Sequence, residues 1–287
     1  MTIIETINKA TNLLSSAGIT TARLDAEVLL SHIIRKDRIW LITHKDDVLD
    51  DKDRWDFDEA LRRRAKREPL QYLIGNQEFW GLEFKVTPDV LIPRPETELI
   101  VEAALALVPD RNRPVRIVDL CTGSGCIAVS LAKELTSARI IATDASEKAL
   151  AAARENARDH GVSGRIRYLE GDLFVPLEEL DIRGQVDIIV SNPPYVREGD
   201  LPTLQPEVKV YEPLMALIAG PEGTEIAMRI IRNATEYLKK NGSLIMEMGV
   251  EQATALTQMV EATGAYGKPA ILKDLAGIDR VIVAKRK

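Results

Sequence analysis

The fold is decided by VRIVDLCTGSGCIA, residues 115–128. Its first half, Val115–Cys121, is an apolar run of strand length. Its second half sets Gly123 and Gly125 two residues apart and leads into a helical pattern over Ile127–Leu135. Glycines at a strand exit permit a tight turn and let the backbone come close to a ligand. Ala128 is small enough for close packing of that helix on the strand. The next apolar run ends in Asp144, nineteen residues after Gly125. In nucleotide-binding sheets a carboxylate at that place accepts hydrogen bonds from a ribose diol. Strand, glycine turn, helix and second acid together predict a sheet that binds an adenosine-bearing ligand beyond its carboxyl edge.

The alternation continues downstream. Strand candidates recur at Ala138–Asp144, Arg165–Asp172, Val186–Asn192 and Gly242–Gly249, with helical patterns at Ser146–His160 and Thr224–Lys240. This predicts an α/β doubly wound parallel sheet. The last two strand candidates, Pro269–Leu275 and Arg280–Lys285, are joined by only Ala276–Asp279. That connection is too short for a crossover, so the two should be antiparallel.

Upstream the pattern differs. Ile3, Ile4, Ile7, Ala10, Leu13 and Leu14 recur at helical spacing, and Gly18 closes the segment. Thr20 and Thr21 can cap a second helix, a shorter one follows around Ile39–Thr43, and Asp50, Asp51 and Asp53 open a fourth. That fourth helix closes on Arg62, Arg63, Arg64, Lys66 and Arg67, a polarity that suits the helix dipole. From Glu78 to Val86 the sequence EFWGLEFKV reads as a β-hairpin turning at Gly81. The three prolines of TPDVLIPRPET, residues 87–97, rule out a regular helix. The predicted organisation is a helical bundle over 1–74, a hairpin and Pro-rich linker over 75–97, and an α/β domain over 98–287.

Composition bounds the function. With 287 residues, 45% apolar and 29% charged, the chain is an ordinary globular one that can bury a large core. A net charge of −6 argues against a general nucleic-acid coat. Cys121 and Cys126 make neither a disulfide framework nor a zinc pattern, and no cluster of His, Cys or carboxylates has ligand spacing, so no metal is expected. No apolar run is long enough for a membrane span, and the first residues lack a targeting signal. A reducing cytoplasm is the expected compartment.

The glycine turn alone leaves two ligand families open, the dinucleotides and S-adenosylmethionine. The fourth strand separates them, because it ends in Ser191-Asn192-Pro193-Pro194-Tyr195. Two consecutive prolines fix the backbone and remove two N–H donors, which leaves the Pro193 carbonyl without a local competitor. The Asn192 amide adds an acceptor, and Tyr195 offers an aromatic wall. Two acceptors and a flat ring make a clamp for a planar –NH2 group. Hydride transfer has no use for such a clamp; methyl transfer to an amino or amide nitrogen does. An amide nitrogen is a weak nucleophile because its lone pair is delocalised, and holding both N–H groups on oxygen acceptors can expose that pair. No strong base is required before attack, and His32, His44 and His160 all lie outside these loops.

The chain resembles the HemK/PrmC family of protein-(glutamine-N5) methyltransferases. The resemblance is carried by PLQYLIG at 69–75, EFWGLEFKV at 78–86, VLIPRPETE at 90–98 and DLCTGSGCIA at 119–128. It continues through SNPPYV at 191–196, YEPLMAL at 211–217 and GIDRV at 277–281. The SNPPY element is shared with adenine-N6 DNA and guanine-N2 RNA methyltransferases; its combination with IPRPETE is more specific. The resemblance implies a class I S-adenosylmethionine-dependent fold, Rossmann-like with seven strands and the last antiparallel, behind a small helical bundle. It implies S-adenosylmethionine as donor, S-adenosylhomocysteine as product and, as acceptor, the glutamine of the Gly-Gly-Gln motif in class 1 peptide-chain release factors. By position, Cys121, Thr122, Gly123, Ser124, Gly125, Asp144, Asp172, Leu173 and Asn192 would bind the donor. Asn192, Pro193, Pro194 and Tyr195 would hold the glutamine, and Arg94, Glu96 and Thr97 would line the site.

Two positions depart from the common pattern. Cys121 stands where glycine is frequent, and a small thiol should fit there if its φ is negative. Leu173 stands where a large aromatic is common, with Phe174 beside it. The basic run Arg62–Arg67 is expected to be a solvated helix end, and Trp40, Trp55 and Trp80 to pack in the core or linker. Both cysteines are expected to serve packing. Glu212 stays open as a substrate-side acid. The helical bundle is expected to grip the release factor, and the chain to act as a monomer without membrane or direct nucleic-acid contact. The alternative is an amino-group methyltransferase of DNA adenine or RNA guanine, and a non-enzymatic binding module with a decayed site is the third possibility.

Overall fold

The structure, a computed structural model, describes residues 1–287. The chain divides into two compact units, Met1–Asn76 with Gln205–Tyr211, and Gln77–Leu204 with Glu212–Lys287.

The first unit is helical. It comprises α1 (Ile3–Ser16), α2 (Ala22–Ile34), α3 (Arg38–Thr43), α4 (Asp51–Ala65) and α5 (Leu70–Ile74). Thr2 and Glu5 close a reciprocal capping box on α1, which satisfies N–H groups that a helix start leaves unpaired. Asp37 and Asp50 cap α3 and α4 through their side chains. Thr21 occupies the cap position of α2, but its side chain makes no capping bond, contrary to expectation. Ile3, Ile7, Leu14, Leu29, Leu30, Phe57 and Leu61 form this unit's core. The returning segment adds the short helix Pro206–Tyr211 (α9 by chain order).

That segment corrects the expectation for the basic run. Arg62 and Lys66 are solvated, but Arg64 is buried. Arg64 Nε donates to Asp25 at 2.7 Å, and its Nη1 donates to Glu207 of α9 at 3.0 Å. Arg67 donates to the other Glu207 oxygen at 2.6 Å. Burial acts to raise the Glu207 carboxyl, and the two guanidiniums outweigh it and bring it below the ordinary carboxylate range.

The second unit holds the sheet. A hairpin of β1 (Asn76–Phe79) and β2 (Leu82–Lys85) precedes α6 (Glu98–Ala106). The strands β3 (Val115–Leu120), β4 (Ala138–Asp144), β5 (Ile166–Glu170), β6 (Val186–Ser191), β9 (Leu238–Glu247), β10 (Ala270–Lys273) and β11 (Asp279–Lys285) follow. They form one seven-stranded sheet in the order β10-β11-β9-β6-β3-β4-β5. β11 alone runs antiparallel to both neighbours, as the short final connection requires. The helices α7 (Cys126–Glu134), α8 (Glu147–Asp159), α10 (Glu225–Tyr237) and α11 (Ala253–Ala262) fill the connections. A separate two-stranded pair joins β7 (Val196–Arg197) to β8 (Ile218–Gly220).

Alternation along the strands builds a core on each face. Ile117, Ile188, Val190 and Ile245 enter one apolar layer, with α6, α7 and the hairpin's Phe79 and Phe84. Val118, Leu120, Ile189, Leu244 and Met246 enter the other, with α10 and α11. Burial of both faces explains why these strands read as nearly continuous apolar runs. β9 starts earlier than Gly242 because its pairing with β6 shifts register between Val186 and Ile188. Gly242 makes that bulge possible: a Cβ there would lie 2.9 Å from the Val186 carbonyl oxygen. Of the tryptophans, Trp80 packs against the core and donates to Glu134 at 3.0 Å, and Trp40 stacks on His44. Trp55 departs from expectation, with 64% of its surface exposed. No helix is long and apolar enough to cross a membrane.

Candidate active site

The carboxyl ends of β3, β4, β5 and β6 open on one cavity of about 260 Å³. Cys121, Gly123, Asp144, Asp172, Leu173, Asn192 and Pro194 line it. Asp144 ends β4 and the others come from the loops that leave β3, β5 and β6, which is where a parallel sheet gathers its ligands. Pro88–Leu91 of the linker, Pro213, Met215 and Ala216, and Ile226 of α10 complete the wall.

The β3 exit is shaped by positive φ angles. Cys121, Gly123 and Gly125 have φ of 59°, 55° and 80°. The expectation of a negative φ at Cys121 is thus wrong. The thiol residue adopts the left-handed region that glycine takes at little cost. Leu173 at the β5 exit does the same, with φ of 50°. Such conformations in non-glycine residues concentrate at functional sites. Gly125 is required for a further reason. A Cβ on it would sit 2.9 Å from the Ala153 Cβ, so α8 can approach this turn only because the side chain is missing. Ala128 is fully buried on the same side of the sheet.

Polar bonds hold the turn. Thr122 donates through Oγ1 to the buried Asp119 at 2.6 Å, and Gly125 N–H donates to the Thr122 carbonyl at 2.8 Å. Burial raises Asp119 to about 7, against the hydrogen bond from Thr122. Asn156 of α8 donates to the Ser124 carbonyl at 2.9 Å and accepts from Lys85 N–H at 2.8 Å, tying the turn to the hairpin. Thr122, Ser124 and Gly125 thus stand behind the cavity wall. Asp144 accepts from Gly123 N–H at 2.9 Å and from Ser146 N–H at 3.0 Å. Burial raises its carboxyl, and these two amides work in the opposite direction. Its orientation is fixed by them while lone pairs stay available to a diol. Asp172 pairs with Arg229, and Thr143 donates to the Leu173 carbonyl at 3.1 Å.

At the β6 exit, Ser191 Oγ donates to the Leu120 carbonyl at 2.8 Å and locks the strand end to β3. Asn192 Nδ2 donates to Thr97 Oγ1 at 3.0 Å. Thr97 in turn donates to Glu247 at 2.6 Å, and the Tyr195 hydroxyl donates to the other Glu247 oxygen at 3.3 Å. Gln252 Nε2 donates to the Tyr195 carbonyl and to the Gly223 carbonyl, each at 3.0 Å. Pro193 is buried in this turn, and neither it nor Tyr195 is part of the cavity lining.

From the linker, Thr97 is buried behind Asn192, Arg94 forms an ion pair with Glu212, and Glu96 is half-buried. Glu212 is buried and does not line the cavity; burial raises its carboxyl and Arg94 opposes that. Burial pushes the Cys126 thiol up to about 12 and raises that of Cys121 as well, so both are protonated at neutral pH; Cys126 is buried, and Cys121 is half-buried at the cavity wall. No group of three or more His, Cys, Asp or Glu side chains is placed to hold a metal ion.

Residue reasoning missed Glu247, Gln252 and Asn156. Glu247 had a signal, an acid inside the apolar run LIMEMG at 244–249. Gln252 and Asn156 had none, since a buried amide on a helix looks in sequence like a solvated one.

A family model for the PrmC N-terminal domain matches residues 5–75, and one for the methyltransferase small domain matches residues 98–205. A methyltransferase from Pyrococcus furiosus shares the fold, with a TM-score of 0.52 and 16% identity over 78% of this chain and 98% of that one. The release factor glutamine methyltransferase of Geobacter sulfurreducens is 42% identical over 98% of this chain and 95% of its own. That of Moorella thermoacetica is 41% identical over 100% of this chain and 99% of its own. With such identity along the whole length, and with the glycine turn and the Asn-Pro-Pro-Tyr turn meeting at one cavity, the chain belongs to the release factor glutamine methyltransferase family.

Proposed function

We propose that this protein transfers a methyl group from S-adenosylmethionine to the side-chain amide nitrogen (N5) of a glutamine in a class 1 peptide-chain release factor. The glutamine is that of the Gly-Gly-Gln motif, S-adenosylhomocysteine is released, and the enzyme works in translation termination as a cytoplasmic monomer. One observation carries the proposal: Asn192 and Pro194 line the same cavity as Cys121, Gly123, Asp144 and Leu173. That shared cavity supports reading the acceptor clamp and the donor pocket as one site. The donor set suits an adenosine-bearing molecule, with Asp144 for the ribose diol, Leu173 and Ile226 as apolar contacts for the base, and the open backbone of Cys121–Gly123 for the remainder.

When bound, the donor supplies an electrophilic methyl on a sulfonium. The chain's own part is to bind and orient. The Asn192 amide oxygen and the Pro193 carbonyl accept the two N–H groups of the glutamine, which turns the nitrogen lone pair away from its own carbonyl. Tyr195 closes the turn, with its backbone held by Gln252. Positioning of this kind can lower a barrier by several kcal/mol, up to ~7–11 in well-oriented cases. The same chemistry on DNA adenine or RNA guanine is the second reading. It is disfavoured by the net charge of −6 and by whole-length relatives named for release factors.

The test combines purified protein, methyl-labelled donor and a purified release factor, with fragment-ion mass spectrometry to locate the label. The glutamine of Gly-Gly-Gln should carry it, and Asn192→Ala should lower the rate by about a hundredfold or more. Label on a nucleic acid instead, with none on the factor, would overturn the proposal.

A further inference from the structure

Glu247 ends β9 with 2% of its surface exposed, and the transfer outlined above gives it no task. Placing a carboxylate there costs desolvation that a leucine would avoid. Its two oxygens each hold one donor of the acceptor site, Thr97 at 2.6 Å and the Tyr195 hydroxyl at 3.3 Å. The Thr97 hydroxyl has a single proton. Because that proton goes to Glu247, the Thr97 oxygen faces Asn192 only as an acceptor. Asn192 must then turn its NH2 side to Thr97, as the 3.0 Å contact from Nδ2 shows. The Asn192 oxygen is left as the other end of the amide, on a residue that lines the cavity. A flipped Asn192 would present donors to an incoming –NH2 that is itself a donor.

We infer that Glu247, acting through Thr97, is a positioning residue that holds the Asn192 amide with its oxygen toward the acceptor nitrogen and ties Tyr195 to the same carboxylate. The inference rests on the function proposed above. It also predicts a pH limb. Burial pushes Glu247 up to about 7, opposed by Thr97, Tyr195 and Arg280, with Glu96 acting in the same direction as burial. A protonated Glu247 can donate to Thr97, which frees Thr97 to donate to Asn192 and reverses the chain. Activity is therefore present when Glu247 is ionised and falls as pH drops through about 7.

The test uses Thr97→Val, which keeps the volume and removes the hydroxyl, Thr97→Ser, which keeps the hydroxyl, and Glu247→Gln. Thr97→Val should lower kcat on a release factor by about ten- to a hundredfold. Donor Kd should change by less than about twofold, and Thr97→Ser should restore most of the rate. Glu247→Gln should lose the acid limb whichever way its amide settles. In the protein alone, NMR should show slow exchange of the Asn192 side-chain amide protons, kept in Thr97→Ser and lost in Thr97→Val. Wild-type kcat in Thr97→Val, unchanged amide exchange in that variant, or a wild-type acid limb in Glu247→Gln would each overturn the inference. The exchange measurement needs no substrate, so it decides the inference even if the release factor proves not to be the acceptor.

Discussion

At the scale of single residues, this site is built from side chains and backbones held where they would not rest alone. Cys121 and Leu173 sit in the left-handed region, at a cost of roughly 1–2 kcal/mol each in an isolated chain. The hydrogen bonds around Thr122, Asp144 and Thr143 over-determine both turns and keep them there. Arg94 and Glu212 make a comparable constraint, with the Glu212 side chain 1% exposed. Arg94→Ala leaves that carboxylate buried without its cation and raises its folded pKa further above the unfolded value. A group shifted in that direction lets stability fall as pH rises through the folded pKa. The variant should therefore lose little at pH 5 and about 3 kcal/mol at pH 8. Urea titrations at the two pH values check this, and an equal loss at both would remove Glu212 as the cause.

At the scale of elements, α9 is held by charge where packing is thin. Glu207 receives Arg64 and Arg67, and Arg64 also holds Asp25. Its own helix has no buried residue. Arg64→Met would leave two carboxylates facing an apolar side chain, a loss of about 3–5 kcal/mol. Hydrogen exchange should then accelerate across residues 205–211 well before it does in α1 or α2. Exchange that stays at the wild-type rate in 205–211 would mean that other contacts hold the segment. This element was illegible in sequence, because a run of arginines at a helix end reads as solvated until its partner, some 140 positions later, is known. The bulge at Gly242 was hidden similarly: strand β9 starts at Leu238, inside what reads as the end of a helix.

At the scale of the whole molecule, the chain leaves the helical unit after Asn76 and returns to it for Gln205–Tyr211. In sequence that return falls between the Asn192–Tyr195 turn and the cavity-lining Pro213, Met215 and Ala216. The division into recognition and catalysis is a proposal. A glutamine on a loop offers little binding energy, so selectivity for a large substrate should come from remote contacts. Deleting residues 1–68 should leave donor affinity within a few-fold of wild type and abolish methylation of a whole release factor. Isothermal titration with the donor and a labelling assay measure the two sides. Full activity of the truncated chain would end the assignment of recognition to the helical unit.

The parallel sheet, its antiparallel last strand, the glycine turn, and the place of Asp144 and Asn192 at the cavity were all legible from residues 115–285. Each is a local pattern of apolar period, glycine or proline, and such patterns report backbone geometry directly. The sign of φ at Cys121, the burial of Arg64 and the chain from Glu247 through Thr97 to Asn192 were settled only by the folded chain. They join residues far apart in sequence, such as Thr97 and Glu247, and burial rather than residue type decides what a polar side chain there must do.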